Sequence, residues 1–317
     1  MENKVHNNLV VAPSPHMLSP VGTTQIMRDV LIALAPALVV AVYVFGYRAL
    51  TLTAVCIAGC VFFEFLYNKI AKKEQTIGDL SAVVTGVLIA YNLPSNLPYW
   101  MAIIGCFVAI IIVKQLFGGL GRNFANPAIT ARIVLFLSFT TQMTTWPLPR
   151  NQVTVDAVTG PTPLGILKEG GGELPSNLDL FLGFIGGSMG EISALALLIG
   201  GVYLVWRKVI SPITPLCFIG TVAVFAALVG QDPVFHVLAG GVMLGAIFMA
   251  TDYATTPISP MGKVIFGVGC GVITMLIRVY GSYPEGVSFS ILLMNILTPL
   301  INNLCLKRKY GGGKKHE

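Results

Sequence analysis

The sequence predicts an all-α polytopic membrane protein of about ten transmembrane helices, and three observations predict it. Only 11% of the residues are charged while 55% are hydrophobic, giving a mean hydropathy of +0.78; soluble domains carry about 25% charged residues. Apolar runs of roughly 18 residues, long enough to cross about 30 Å of hydrocarbon, recur along nearly the whole chain. The basic residues cluster between these runs and at the C-terminus, where membrane topology explains them. In lipid each run must be helical, because every backbone polar group needs an internal partner.

The elements follow in order. Segment 1–28 is polar, holds three prolines before Gly22 and lacks the apolar stretch and cleavage site of a signal peptide, so the first run reads as a permanent span. Spans are predicted at 29–46, 49–67, 79–93, 98–117, 124–140, 190–206, 211–230, 234–251, 263–280 and 286–304. The third is short and ends in Asn92-Leu93-Pro94-Ser95-Asn96, and 180–189 is a glycine-broken apolar piece; both read as re-entrant or broken helices. With the N-terminus inside, fifteen of the twenty basic residues fall on inner flanks. Arg48, Arg150, Lys168 and Arg278 fall on outer ones, and Arg132 is left inside the fifth span. The positive-inside rule then puts both termini in the cytoplasm, and the net charge of +6 needs no nucleic-acid partner.

Loop 141–178 falls on the outer face between membrane units 29–140 and 179–304, with a basic tail at 305–317. The two units resemble each other at one offset: Pro98 aligns with Pro260, Gly105 with Gly267, Gly119 with Gly281 and Ile129 with Ile291. Five spans per repeat, an odd number, makes the repeats inverted, an arrangement that sets sites between broken helices at the midplane.

Ionisable residues inside spans are costly and become functional candidates. Glu64, near the inner end of its span, reads as snorkelling beside Lys69. Glu191, after Gly186-Gly187-Ser188-Met189-Gly190, is expected in the first turn of its helix, where the dipole favours a carboxylate, and reads alternatively as an ion or cofactor contact. Asp252 lies where a broken helix would end and suits a cation or a flavin-ring contact. Segment Gly118-Gly119-Leu120-Gly121-Arg122-Asn123 leads into a helix and reads as a phosphate-binding turn or, more simply, as a tight connection. The six cysteines have no C-x-x-C pair and read as buried thiols, with a metal or cluster thiolate at a subunit interface as the alternative. No metal site or hydrolytic triad is expected, and Thr159 and Thr162 read as turn residues around Gly160-Pro161.

Several segments together resemble one family. They are Ser14-Pro15-His16 with Thr24-Gln25-Ile26-Met27, Gly118 to Asn123 with Asn126-Pro127-Ala128, Gly187-Ser188-Met189-Gly190-Glu191, Gly240 to Ala246 with Met249-Ala250-Thr251-Asp252, and Ile277-Arg278 with Pro284-Glu285-Gly286. The sequence resembles the RnfD components of the Rnf-type ion-translocating ferredoxin:NAD oxidoreductases and is similar to the NqrB component of the sodium-pumping NADH:quinone reductase (the NqrB/RnfD family). The resemblance implies a urea-transporter-like inverted-repeat fold in a bacterial inner membrane. It also implies electron transfer between ferredoxin and NAD coupled to Na⁺ or H⁺ transport, with the Rnf components A, B, C, E and G as partners. Its D-x-x-[S/T]-G-A-T motif carries FMN through a phosphoester to the last threonine, placed there by a flavin transferase. Carried over, Asp156, Thr159 and Gly160 match the motif and Thr162 is the attachment site, with Pro161 departing from the usual alanine. A second, noncovalent flavin, riboflavin, is implied by analogy with the quinone reductase. From the residues alone, a solute transporter of the urea or ammonium type and a purely structural role in a complex stay open as alternatives.

Overall fold

The computed structural model describes residues 22–150, 159–170 and 174–309. These residues form a bundle of helices: α1 Thr23–Phe45, α2 Tyr47–Ile70, α3 Ser81–Tyr91, α4 Tyr99–Gln115, α5 Pro127–Ser138 and α6 Thr140–Met143. Two residue pairs, β1 Trp146–Pro147 and β2 Thr159–Gly160, make a small antiparallel ladder. Then come α7 Pro163–Glu169, α8 Asn177–Leu182, α9 Ala194–Trp206, α10 Ile213–Val229 and α11 Pro233–Leu238. The chain ends with α12, formed by Val242–Leu244 and a wider π turn Gly245–Met249, followed by α13 Pro260–Tyr280 and α14 Val287–Lys309.

Four helices, α1, α2, α13 and the Val287–Cys305 part of α14, are long and apolar enough to cross a membrane. At 1.5 Å per residue the 23 residues of α1 reach about 34 Å. The chain is thus a polytopic helical membrane protein. The runs expected at 79–93, 124–140 and 190–206 give helices of 11, 12 and 13 residues, about 16 to 20 Å long and too short to cross alone.

The run expected as one span at 234–251 is broken, and its packing explains why. Gly240 has φ +69°, and a Cβ there would stand 2.7 Å from Leu164 and 3.0 Å from the Arg278 guanidinium. The break lets Arg278 donate to the carbonyls of His236 (2.6 Å) and Ala239 (2.9 Å), which have no further helical turn to accept from. The end of α3 is treated alike: Met189 N donates to Leu93 O and Gly190 N to Tyr91 O. Segment 183–193 therefore passes through the interior as irregular chain, as the glycine-broken piece at 180–189 suggests, with α8 covering only Asn177–Leu182.

Loop contacts define two ends of the bundle. At one, Arg48 donates to Ser95 O and Asn96 O, Arg150 N to Val44 O, and Lys168 to Gly281 O and Tyr283 O. This is the Thr162 face. At the other, Asp29 pairs with Arg207, Tyr253 donates to Val209 O, and Thr24 to Gly78 O; this is the Asp252 face. The glycine-rich segment 118–121 is a connection there, with φ of +114°, +93° and +81° at Gly118, Gly119 and Gly121. Asn126 then caps α5 by accepting from Ala128 N and Ile129 N.

Helices α1 and α9 cross closely, and a Cβ on Gly200 would stand 2.1 Å from the carbonyl oxygen of Ala33. Gly200→Ala is therefore expected to lower stability by about 1–3 kcal/mol through overpacking. Gly220→Ala on α10, where a Cβ meets nothing within 4 Å, is expected to be neutral or slightly stabilising. Thermal unfolding in detergent separates the two, and equal midpoints would contradict the close crossing.

Candidate functional site

On the Thr162 face, Thr159 and Gly160 pair with Pro147 and Trp146, which pins this segment beside Trp146. Two residues later Thr162 caps α7: its Oγ1 accepts from Gly165 N at 3.1 Å, and the residue is 7% exposed. Thr159, in contrast, is exposed. Asp156 lies outside the described residues. Thr162 borders a cleft of about 230 Å³ walled by Phe136 of α5, Trp146, Tyr283, Phe289 of α14, Arg132 and Glu285. Phe136 meets Tyr283 edge-on with ring centroids 5.0 Å apart, while Tyr283 and Phe289 are stacked within 14°.

Behind the aromatic walls lies a buried charge cluster. Arg132 Nη1 donates to Glu191 Oε1 and Asn92 Oδ1, both at 3.0 Å, and Nη2 donates to Glu285. Glu191 is thus not in the first turn of α9. That helix begins at Ala194 with Ser193 as its cap, and the carboxylate occupies the preceding turn facing Arg132. Gly241 must be glycine-sized beside it, since a Cβ there would stand 2.8 Å from Glu191 Oε1. Glu285 lies in the connection between α13 and α14. Burial and the nearby Glu191 carboxylate push its carboxyl up to about 7, against the pull of Arg132 and Arg278.

Residues 10–311 match the sequence model of the NQR2, RnfD, RnfE family. The chain belongs to that family. It is 54% identical over 308 residues to the D subunit of the Na(+)-translocating ferredoxin:NAD(+) oxidoreductase complex of Acetobacterium woodii, covering 96% of each chain. It is 42% identical over 321 residues to the D subunit of the proton-translocating ferredoxin:NAD(+) oxidoreductase complex of Clostridium ljungdahlii, covering 96% of this chain and 97% of that one. With the D subunit of the ion-translocating oxidoreductase complex of Stutzerimonas stutzeri, identity is 39% over 90% of this chain and 92% of the relative.

A second cluster in this family chain lies on the Asp252 face. Glu64 does not snorkel beside Lys69: it is fully buried, its Oε2 is 2.8 Å from Lys114 Nζ, and its Oε1 accepts from Thr76 Oγ1 at 2.6 Å. Lys114 also donates to Ser81 Oγ at 2.6 Å, and Ser81 donates to Asp79. The π turn over Val108–Gln115 supplies Lys114, and such wider turns re-aim side chains at functional positions. Asp252 makes its hydrogen bonds within its own turn and borders the second cluster across a cleft. Its Oδ2 accepts from Thr255 Oγ1 at 3.1 Å, and it lines a cleft of about 110 Å³ with Ser81, Lys114, Asn123, Asn126 and Phe248.

Arg132, Glu285 and Lys114 carry chemistry that the sequence alone does not single out. A signal is present for Arg132, a basic residue inside an apolar run, which obliges a partner. Its partner Glu285, 153 residues away, has no local signature. The cysteines are free thiols, with Cys217 half-buried and the other five buried.

Lys114→Met leaves the Glu64 carboxyl without its cation and is expected to destabilise the protein by about 3–5 kcal/mol. The double variant with Glu64→Leu is expected to recover most of that loss. A chemical-denaturation series in detergent reads the difference, and additive losses would show that the pair is not coupled.

Proposed function

We propose that this protein is the membrane subunit of an ion-translocating ferredoxin:NAD oxidoreductase complex and carries electrons through FMN on Thr162. One observation carries the reading: the Thr162 hydroxyl stands on the wall of an aromatic-lined cleft that also holds a buried cation, Arg132. Stacking rings, one hydroxyl for a phosphoester and a guanidinium for negative charge are the groups a flavin nucleotide requires. Family membership and the names of the relatives support the rest: partnership with the Rnf components A, B, C, E and G, and coupling to Na⁺ or H⁺ movement.

Bound FMN would supply one- and two-electron chemistry; the chain's residues anchor and tune it. Thr162 fixes the phosphate end, Phe136, Tyr283 and Phe289 exclude water, and Arg132 offsets negative charge in the cleft. Because Thr162 is buried, the flavin transferase would act before the loop packs against α5 and α14. Riboflavin, as a second flavin, would enter the smaller cleft on the Asp252 face, where Asn123, Asn126 and Asp252 offer polar partners. The positive-inside rule points the Thr162 face outward and both termini to the cytoplasm.

Ten membrane-inserted segments in two inverted sets of five would run α1 to α5 and α9, α10, α12, α13 and α14. Pairing supports this arrangement, since α2 packs on α4 as α10 does on α13, while α1 meets α9 and α5 meets α14 across the halves. Pro98 and Pro260 stand at the starts of α4 and α13, and Gly119 and Gly281 follow their ends.

Co-expressed with its transferase, the protein is expected to carry FMN on the Thr162 peptide by mass spectrometry and to give a fluorescent band in denaturing gels. Thr162→Ala should abolish both and Thr159→Ala neither. FMN on Thr159, or none at all, would refute the assignment. Asp252→Asn is expected to cut cation uptake by inverted vesicles at least severalfold while leaving assembly intact; unchanged uptake would remove Asp252 from the ion route.

A further inference from the structure

The cleft beside Thr162 contains one cation whose two carboxylate partners stand in unlike surroundings. Arg132 is held by Asn92, Glu191 and Glu285. The Glu191 side chain is 3% exposed and closed in behind Gly241. The Glu285 side chain is 19% exposed and lines the cleft next to Thr162. Its connection is fastened from outside, where Lys168 of α7 donates to the carbonyls of Gly281 and Tyr283. Arg132 is the cation on the described lining, so negative charge arriving in the cleft competes with Glu285 for it.

We propose that Glu285 is the proton-accepting positioning residue of this cleft: when an electron enters a flavin held at Thr162, Arg132 turns from Glu285 toward the added charge and the Glu285 carboxylate takes up a proton. The proposal rests on the flavin reading above. The electron comes from a one-electron carrier of the complex, an iron–sulfur centre or a reduced flavin, which is oxidised as the ring is reduced. One proton from solvent at the Thr162 face forms an O–H bond on Glu285. Both leave on reoxidation, so the net charge of the cleft is the same before and after.

Of the charged groups facing Glu285, Glu191 favours this outcome and Arg278 opposes it, so the position of Arg132 decides. Glu191, from the segment before α9, repels its charge. Arg278 of α13 is committed to the carbonyls of His236 and Ala239 and cannot follow Arg132. Glu169 of α7 is exposed and held in water, while Thr162, Tyr283 and Ser288 bring neutral hydroxyls. A carboxylate left without Arg132 in this partly enclosed site, with Glu191 beside it, is disfavoured, and protonation relieves it. Its carboxyl, already held up by burial, needs little further push.

Redox-poised infrared difference spectroscopy on the purified complex tests this, with FMN on the Thr162 peptide verified by mass in every preparation. Reduction of the unmodified complex is expected to produce the carbonyl stretch of a protonated carboxylic acid, shifted in D₂O. The band should be lost in Glu285→Gln, moved in Glu285→Asp and kept in Glu191→Gln. With FMN in place, absence of the band, or its persistence unchanged in Glu285→Gln, would overturn the proposal and leave the flavin site standing. Absence of FMN from Thr162 would instead overturn the flavin reading and this inference with it. If Glu285→Gln fails to assemble, the Glu285→Asp band decides, and an unmoved frequency counts against Glu285.

Discussion

A guanidinium inside an apolar bundle has to be neutralised and hydrogen-bonded at once, and the arrangement around Arg132 is the consequence. Its partners are drawn from the end of α3, the turn before α9 and the connection from α13 to α14, at sequence separations of 40, 59 and 153 residues. No single helix could supply them. The ion cluster therefore fixes the relative positions of segments that lipid-facing apolar contacts would leave free to slide. Removing one partner costs about 3–5 kcal/mol in such a site, far more than an exposed pair contributes.

The same demand for satisfied polar groups shapes the broken helices. Helices α3 and α11 stop inside the bundle, where water cannot serve their last carbonyls. The chain meets this with the backbone of 189–190 at one end and the Arg278 side chain at the other. The break after α3 is legible in Asn92-Leu93-Pro94. The break after α11 is not, because Ala239-Gly240-Gly241 lies within an otherwise continuous apolar run. Only the approach of Leu164, Arg278 and Glu191 makes those glycines necessary. The long spans are readable throughout, since hydropathy over 19 to 24 residues needs no tertiary information.

The site is readable in a different proportion. Thr162 comes from resemblance alone, for chemically it is a turn threonine beside two prolines. Glu64 misleads because a carboxylate five residues from Lys69 has a sufficient local explanation, whereas its true partner, Lys114, is 50 residues distant. Glu191 misleads because the Gly-rich stretch before it suggests a helix start; the helix begins three residues later. These errors share one cause: charges in an apolar interior choose partners by three-dimensional reach, and a one-dimensional reading offers only neighbours.

The two charge clusters differ in a way that bears on coupling. Glu64 and Lys114 have side chains 0% and 2% exposed and each is further bonded to a hydroxyl, so the pair is held from both sides. At the opposite face, Arg132 divides its donors between a shut carboxylate and one that lines a cleft. A closed pair resists change, whereas a shared cation can be redistributed at the expense of its weaker partner. Between the clusters, Asn92 binds Arg132 through Oδ1 and reaches the Met249 sulfur at 3.7 Å through Nδ2, which joins the end of α3 to the end of α12. That short line of contacts, from cleft to guanidinium to amide to half-helix, leads from the Thr162 face toward the turn that carries Asp252.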